Sequence, residues 1–232
     1  MPTTPAFAGF PLGMLHFFEE LARHNNKKWF DTNKQRYETL VREPALQFIA
    51  AMAGPLNKVS PHFVAAPKKV GGSLMRVHRD VRFSRDKTPY KTNLGIQFRH
   101  EAGKDVHCPG FYLHVDTEQV FLGAGVWHPE SAALAAIREA IDEDPAAWKR
   151  AKSGKAFRTA FRLGGDSLKR APRGYDPEHP QIDDLKRKDH IAIAQLDHDL
   201  LFEPGLPKTI AAKLRASRAY VAFLCQAIGV EF

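Results

Sequence analysis

The chain's 232 residues, 44% hydrophobic and 26% charged, are enough to bury a full core and exclude wholesale disorder. Two cysteines far apart in sequence, Cys108 and Cys225, exclude a disulfide framework and fit a reducing, cytoplasmic setting. The net charge of +8 is concentrated: eight Lys/Arg face two Asp/Glu over residues 68–91, and twelve face six over 145–190. Three against nine lie between them, which excludes a uniformly basic coat and suggests a focused patch if folding joins the two blocks.

No Lys or Arg precedes the apolar residues of the first eighteen positions, so a secretory leader is not expected. Residues 12–57 read as helical, with Leu12, Leu15, Phe18, Leu21 and Ala22 on one stripe. Asn25 and Asn26 break the pattern as turn formers. A second helix carries Trp29, Phe30, Tyr37, Leu40 and Val41, most simply core residues. Pro44 opens a third, with Leu46, Ile49 and Met52 inward, ending at Gly54 and Pro55.

From about Val59 the pattern becomes extended. Met75, Val77, Val81 and Phe83 share one parity, against Arg76, His78, Asp80 and Arg82, which predicts a strand through about Arg79. Leu94, Ile96 and Phe98 alternate again, as do Phe111, Leu113 and Val115; residues 120–127 form a further apolar run. Residues 101–105 predict a hairpin tip. A helix then starts near Ser131, and another at Asp144 and Pro145. Residues 151–190 are basic and loop-rich, 191–193 are a candidate strand, and residues 207–228 predict one closing helix. No apolar run is long enough to cross a bilayer, so no membrane partner is expected. The expected fold is one α+β domain spanning residues 1–232, its antiparallel sheet from the central segment packed by N-terminal and C-terminal helices.

The candidate site is residues 76–91, with seven cationic side chains, counting His78, in sixteen positions and only Asp80 and Asp86 as local counter-charge. Arg forks suit phosphate and carboxylate groups. Arg76, Arg79 and Arg82 are therefore expected to hold a small anion, with Asp80 orienting them, and residues 84–92 to form a loop that folds Lys87, Tyr90 and Lys91 over it. Three readings stand. The first is a small phosphorylated or carboxylated ligand, with or without catalysis; the second is a nucleic-acid backbone tracked by both basic blocks; the third is an ion-pair network with a structural role. No reaction class and no cofactor follow from the residues.

The spacing Arg76, Arg79, Asp80, Arg82, Phe83, Lys87, Tyr90 resembles the signature of DUF2461, a bacterial family of unknown function. The similarity extends to residues 25–30, to 109–112, and to 168–176 with His179 and Pro180. It implies no activity. Within the late block, Lys169, Arg170 and Arg173 sit among Pro172 and Gly174, where a rigid turn could present them, and the loop is expected to meet residues 76–91 across one cleft.

His100, His107, Cys108 and His114 are the nearest approach to a metal cluster, but no short ligand pair of zinc-site type occurs, and no metal is expected. Gly123 and Gly125 predict a bulge or close backbone approach rather than a phosphate loop. Six cations over residues 148–162 read as a solvated helix face.

Overall fold

The computed structural model describes residues 6–103 and 108–232. The N-terminal third is helical, as its spacing predicts. Helix α1 (Gly13–Arg23) buries Met14, Phe17, Phe18 and Leu21. Leu12 is 74% exposed, so the buried face is rotated from the predicted stripe towards the two phenylalanines. Asn26 caps α2 (Lys27–Thr32) by accepting from the Trp29 amide at 3.0 Å, which satisfies one of the orphan donors of the first turn. Helix α3 (Lys34–Tyr37) passes through a π-helical turn, residues 38–42, into α4 (Glu43–Asn57). Helix α4 runs past its predicted end at Pro55, which removes one amide donor while Leu56 is pulled into the core.

Six strands follow among the described residues: β1 (Phe63–Val64), β2 (Leu94–His100), β3 (Gly110–Val115), β4 (Val120–Val126), β5 (Arg162–Gly164) and β6 (His190–Leu196). They pair antiparallel in the order β1-β2-β3-β4-β6-β5. The α+β class is as expected, but the sheet is wider than the central segment, since the C-terminal part supplies β5 and β6.

The strand predicted through Arg79 is not formed. Leu74 bridges Ile96 and prolongs the β1 edge for about one residue either side. The chain then leaves the sheet, and with it the plane that gives alternation its meaning. Val77 is buried as its parity predicts, whereas Phe83 is 94% exposed. The predicted hairpin tip falls partly outside the described residues.

Helices α5 (Ser131–Glu143), α6 (Pro145–Ser153), α7 (Lys155–Ala160) and α8 (Ile182–Leu185) surround the C-terminal strands. Asp144 caps α6 by accepting from the Ala147 amide at 2.8 Å. The single closing helix is two, α9 (Leu206–Ala216) and α10 (Arg218–Ala227). Between them the buried Ser217 hydroxyl donates to the Leu214 carbonyl at 2.8 Å, drawing the backbone out of helical register.

Period-two alternation sorts the sheet into two faces. One presents Ile96, Phe98, Phe111, Leu113, Leu122 and Ala192 to a core shared with Phe48, Ile137, Trp148 and Tyr220. The other carries Gly95, Gln97, Tyr112, His114, Phe121, Gly123, Gly125, Ile191 and Ile193, none of which belongs to that core.

Candidate functional site

The signature residues build a closed loop. Arg79 donates its amide to the Pro89 carbonyl, Lys91 donates to Val77, and His78 bridges Tyr90. This two-stranded bracket holds residues 80–88 as an excursion. Tyr90 anchors the bracket: its ring stacks on Phe30 at 4.1 Å. Its amide donates to Asn25 Oδ1 at 3.1 Å, and its carbonyl accepts from Asn25 Nδ2 at 2.9 Å. Asn25 thus acts as a side-chain strand, satisfying both polar groups of a buried backbone unit.

Inside the loop, Arg79 pairs with Asp86 and donates to Thr88 Oγ1. Asp86 also accepts from the Thr88 amide at 2.9 Å. Arg82 grips Asp80 with two bonds, of 2.9 and 2.7 Å, and Lys87 Nζ donates to the Val81 carbonyl at 2.9 Å. These guanidinium partners hold both carboxyls down at about 2, Arg82 for Asp80 and Arg79 for Asp86. Two of the three arginines expected to grip an anion therefore already have carboxylates.

Arg76 and Lys91 remain. Among the described residues neither makes an ion pair or a side-chain hydrogen bond. Lys91 is half-buried, and its amine is lowered first by desolvation and then by the nearby Arg76 charge. Two like charges held together, one of them partly dehydrated, is an arrangement that an arriving anion relieves.

A cleft of about 420 Å³ opens on the uncovered face of the sheet, lined by Met75, the residue before Arg76, but by neither of the two cations. Its floor is Gly110, Gly123 and Gly125, and its walls include Met75, Tyr112, Phe121, Trp127, Ile191 and Ile193. Gly125 has a φ of +122°, and a Cβ there would stand 2.1 Å from the His190 carbonyl oxygen, so the close backbone approach expected from the sequence is present. At Gly95 a Cβ would meet the Tyr112 hydroxyl at 2.8 Å; the missing side chain makes room for that hydroxyl.

One end of the cleft is polar. His114 Nε2 lies 2.8 Å from Asp116 Oδ2, and Asp116 Oδ1 accepts the Glu118 and Gln119 amides. With Nε2 protonated towards Asp116, Nδ1 is the acceptor facing the Tyr112 hydroxyl at 3.2 Å and Asn93 Nδ2 at 3.4 Å. Burial pushes the Tyr112 phenol up to about 12, so it stays neutral and able to donate. The chain runs directly from this end to the two cations, Met75 to Arg76 on one side and Asn93 back to Lys91 on the other.

The late loop does not join this site. Leu168 pairs with Lys186, and Ser167 bridges Arg187 beyond β5. His179 reaches Asp142 on α5 at 3.5 Å. Sheet order therefore puts Lys169 and Arg173, both exposed, at the edge opposite residues 76–91, five strand spacings or about 24 Å away. The two basic blocks do not merge into one patch. Among the described residues no group of three His, Cys, Asp or Glu side chains is close enough to hold a metal; His107 lies outside them. Nor is any described helix long and apolar enough to cross a membrane.

Sequence reasoning missed Asn93, Asp116, Trp127 and the glycine floor as site residues, and read Asn25 as a turn former within the stretch resembling the family, without its hold on Tyr90. Part of the signal was available. Tyr112, His114 and Asp116 share one parity of a strand whose other parity, Phe111, Leu113 and Val115, is wholly apolar.

Neither the curated proteins nor the solved structures compared with this chain contain a match. The profile of a conserved hypothetical protein family, DUF2461, matches residues 13–223, taking in the helical third, the arginine loop and every strand. The chain belongs to the DUF2461 family.

Proposed function

We propose that the chain binds a small organic anion on the open face of its sheet. The apolar body lies over Gly110, Gly123 and Gly125, and the phosphate or carboxylate is held by Arg76 and Lys91. Arg79, Asp80, Arg82, Lys87 and Tyr90 then serve as the frame of the loop that carries those two cations. Lys169 and Arg173 have no part in it.

The observation that carries this reading is a largely apolar cleft whose wall residue Met75 leads directly into Arg76; neither Arg76 nor Lys91 makes an ion pair among the described residues. Ligand sites commonly combine an apolar lining with a few placed polar groups, and the Asn93 amide supplies a donor at the same end. With its proton directed at His114 Nδ1, the Tyr112 oxygen is left to accept, so a hydroxyl next to the anionic group completes the fit.

The test is a thermal-shift screen of phosphorylated and carboxylated metabolites with aromatic or branched aliphatic bodies. A true ligand at 100-fold excess over its Kd raises Tm by roughly 5 °C. Arg76→Gln and Lys91→Gln should each weaken it about tenfold by calorimetric titration, while Arg79→Ala keeps its affinity within about threefold. Full retention of binding in the Arg76→Gln, Lys91→Gln double variant would overturn the reading.

A further inference from the structure

The tip of the arginine loop has a property that its base does not explain. Phe83 is 94% exposed, although the loop around it is tied down by Arg79 to Asp86, Arg82 to Asp80, and Lys87 to the Val81 carbonyl. Those bonds all run within the loop itself, and none involves the Phe83 ring. A single apolar ring left in water is an unfavourable arrangement unless something covers it. The Arg82 guanidinium lies 5.8 Å from the ring centroid, and Arg85 is exposed two positions on. Arg85 has no ion pair among the described residues, and the hydrogen bond Lys87 makes is to a neutral carbonyl, so both keep their charge for a partner.

We propose that this tip is a stacking platform for single-stranded nucleic acid. One base lies on Phe83, and the flanking phosphates are met by Arg85 and Lys87. Aromatic rings interleaved with cations are the usual means of holding unpaired strands with little sequence preference, because every base has a flat face. A duplex hides those faces, so it cannot use the ring. A bilayer is the poorer fit. Phe83 is alone at the tip, and one ring is too little apolar surface for stable anchoring. The half-exposed carboxylates of Asp80 and Asp86 beside it also resist burial among headgroups. The platform stands apart from the cleft, and Arg76 and Lys91 are not needed for it.

The experiment uses the full chain and a fluorescein-labelled fifteen-nucleotide oligothymidylate, read by anisotropy at 50 and 200 mM salt, with a duplex of equal length for comparison. Single strands should bind at least fivefold tighter than duplex, and Phe83→Ala should weaken that binding about tenfold. Because the side chain makes no core contact, its circular dichroism and melting temperature should match wild type. Phe83→Trp should restore affinity, and its added indole fluorescence should be quenched as the base stacks. Arg85→Ala with Lys87→Ala should make the salt slope shallower by one to two, since each phosphate contact releases counterions. Equal binding of single strand and duplex, an unaffected Phe83→Ala, or an unquenched Phe83→Trp would each overturn the proposal. Failure to bind the oligonucleotide while co-sedimenting with phosphatidylserine vesicles would assign the tip to a membrane surface instead.

Discussion

The two faces of the sheet are made by the same strands, yet almost nothing that applies to one applies to the other. On the covered face the positions are filled by apolar side chains except for two buried histidines: His100, whose Nε2 lies 2.7 Å from the Glu231 carbonyl oxygen, and His190, fully buried among Trp148 and Tyr220. On the open face, glycines alternate with Tyr112, His114 and Phe121, and its histidine is wired into a hydrogen-bonded chain that ends at Asp116. Burial dictates the first face. The second is under no such demand, so its glycines and polar groups answer either to backbone geometry or to something that binds there. Separating those two causes is the purpose of the substitutions below.

The largest effect is expected where backbone geometry decides. Gly125→Ala places a methyl 2.1 Å from the His190 carbonyl oxygen in a conformation, φ +122°, that side chains rarely adopt. Neither the oxygen nor the strand can move without breaking the β4–β6 pairing. A loss on the order of 4 kcal/mol is expected in urea denaturation. A stable Gly125→Ala protein would mean that this part of the open face is not backbone-limited.

The covered face should be limited by pH instead. Burial first, and then Arg187 and Arg138 against the opposing pull of Asp184 and Asp189, lowers His190 to about 4. In the unfolded chain an ordinary histidine titrates near 6.5, so between those values the unfolded state binds the extra proton. Stability from keeping His190 neutral is therefore complete above about pH 6.5 and is lost as pH falls towards 4, amounting to about 3 kcal/mol. Denaturant midpoints measured from pH 7.5 to 4 should fall accordingly, and His190→Phe should flatten that part of the profile.

Next in size is the clamp that seats the arginine loop on the helices. Asn25→Ala leaves the amide and carbonyl of the buried Tyr90 without their partners, at a cost of about 2 kcal/mol. Arg79→Ala removes a solvent-exposed pair and should cost clearly less than Asn25→Ala. If the order were reversed, the loop and not its anchor would be the structural element.

How much of this was legible follows the same division. The covered face was read correctly from alternation, because Leu94, Ile96 and Phe98, and Phe111, Leu113 and Val115, announce burial by their period. Residues 74–83 alternate as clearly, but the chain departs from the sheet after Met75, and local periodicity carries no information about where pairing stops. The excess of cations in 76–91 was real, yet which carboxylate meets which arginine depends on the bend at 80–88, not on composition. The break at Ser217 rests on one side-chain hydrogen bond and the long-range hold of Asn25 on Tyr90 on two, and no pattern encodes either. Glycine is equally silent: Gly123 and Gly125 look alike in sequence and differ in what their missing side chains would meet.

That difference gives the sharpest test. Two residues before Gly125, in the same strand and on the same face, a Cβ at Gly123 would meet only the Tyr112 side chain, its Cβ at an ordinary 3.6 Å and its Cδ1 at 4.0 Å. Valine is at home in a strand, so Gly123→Val should change stability by under about 1 kcal/mol. Its two methyls, however, stand in the floor of the cleft. If Gly123 is there to leave space for a ligand, the variant folds normally and loses the ligand-induced rise in Tm found in wild type, with affinity down at least tenfold. If it responds to every ligand as wild type does, the open face is empty by indifference and the anion, if one binds, is held by Arg76 and Lys91 without it.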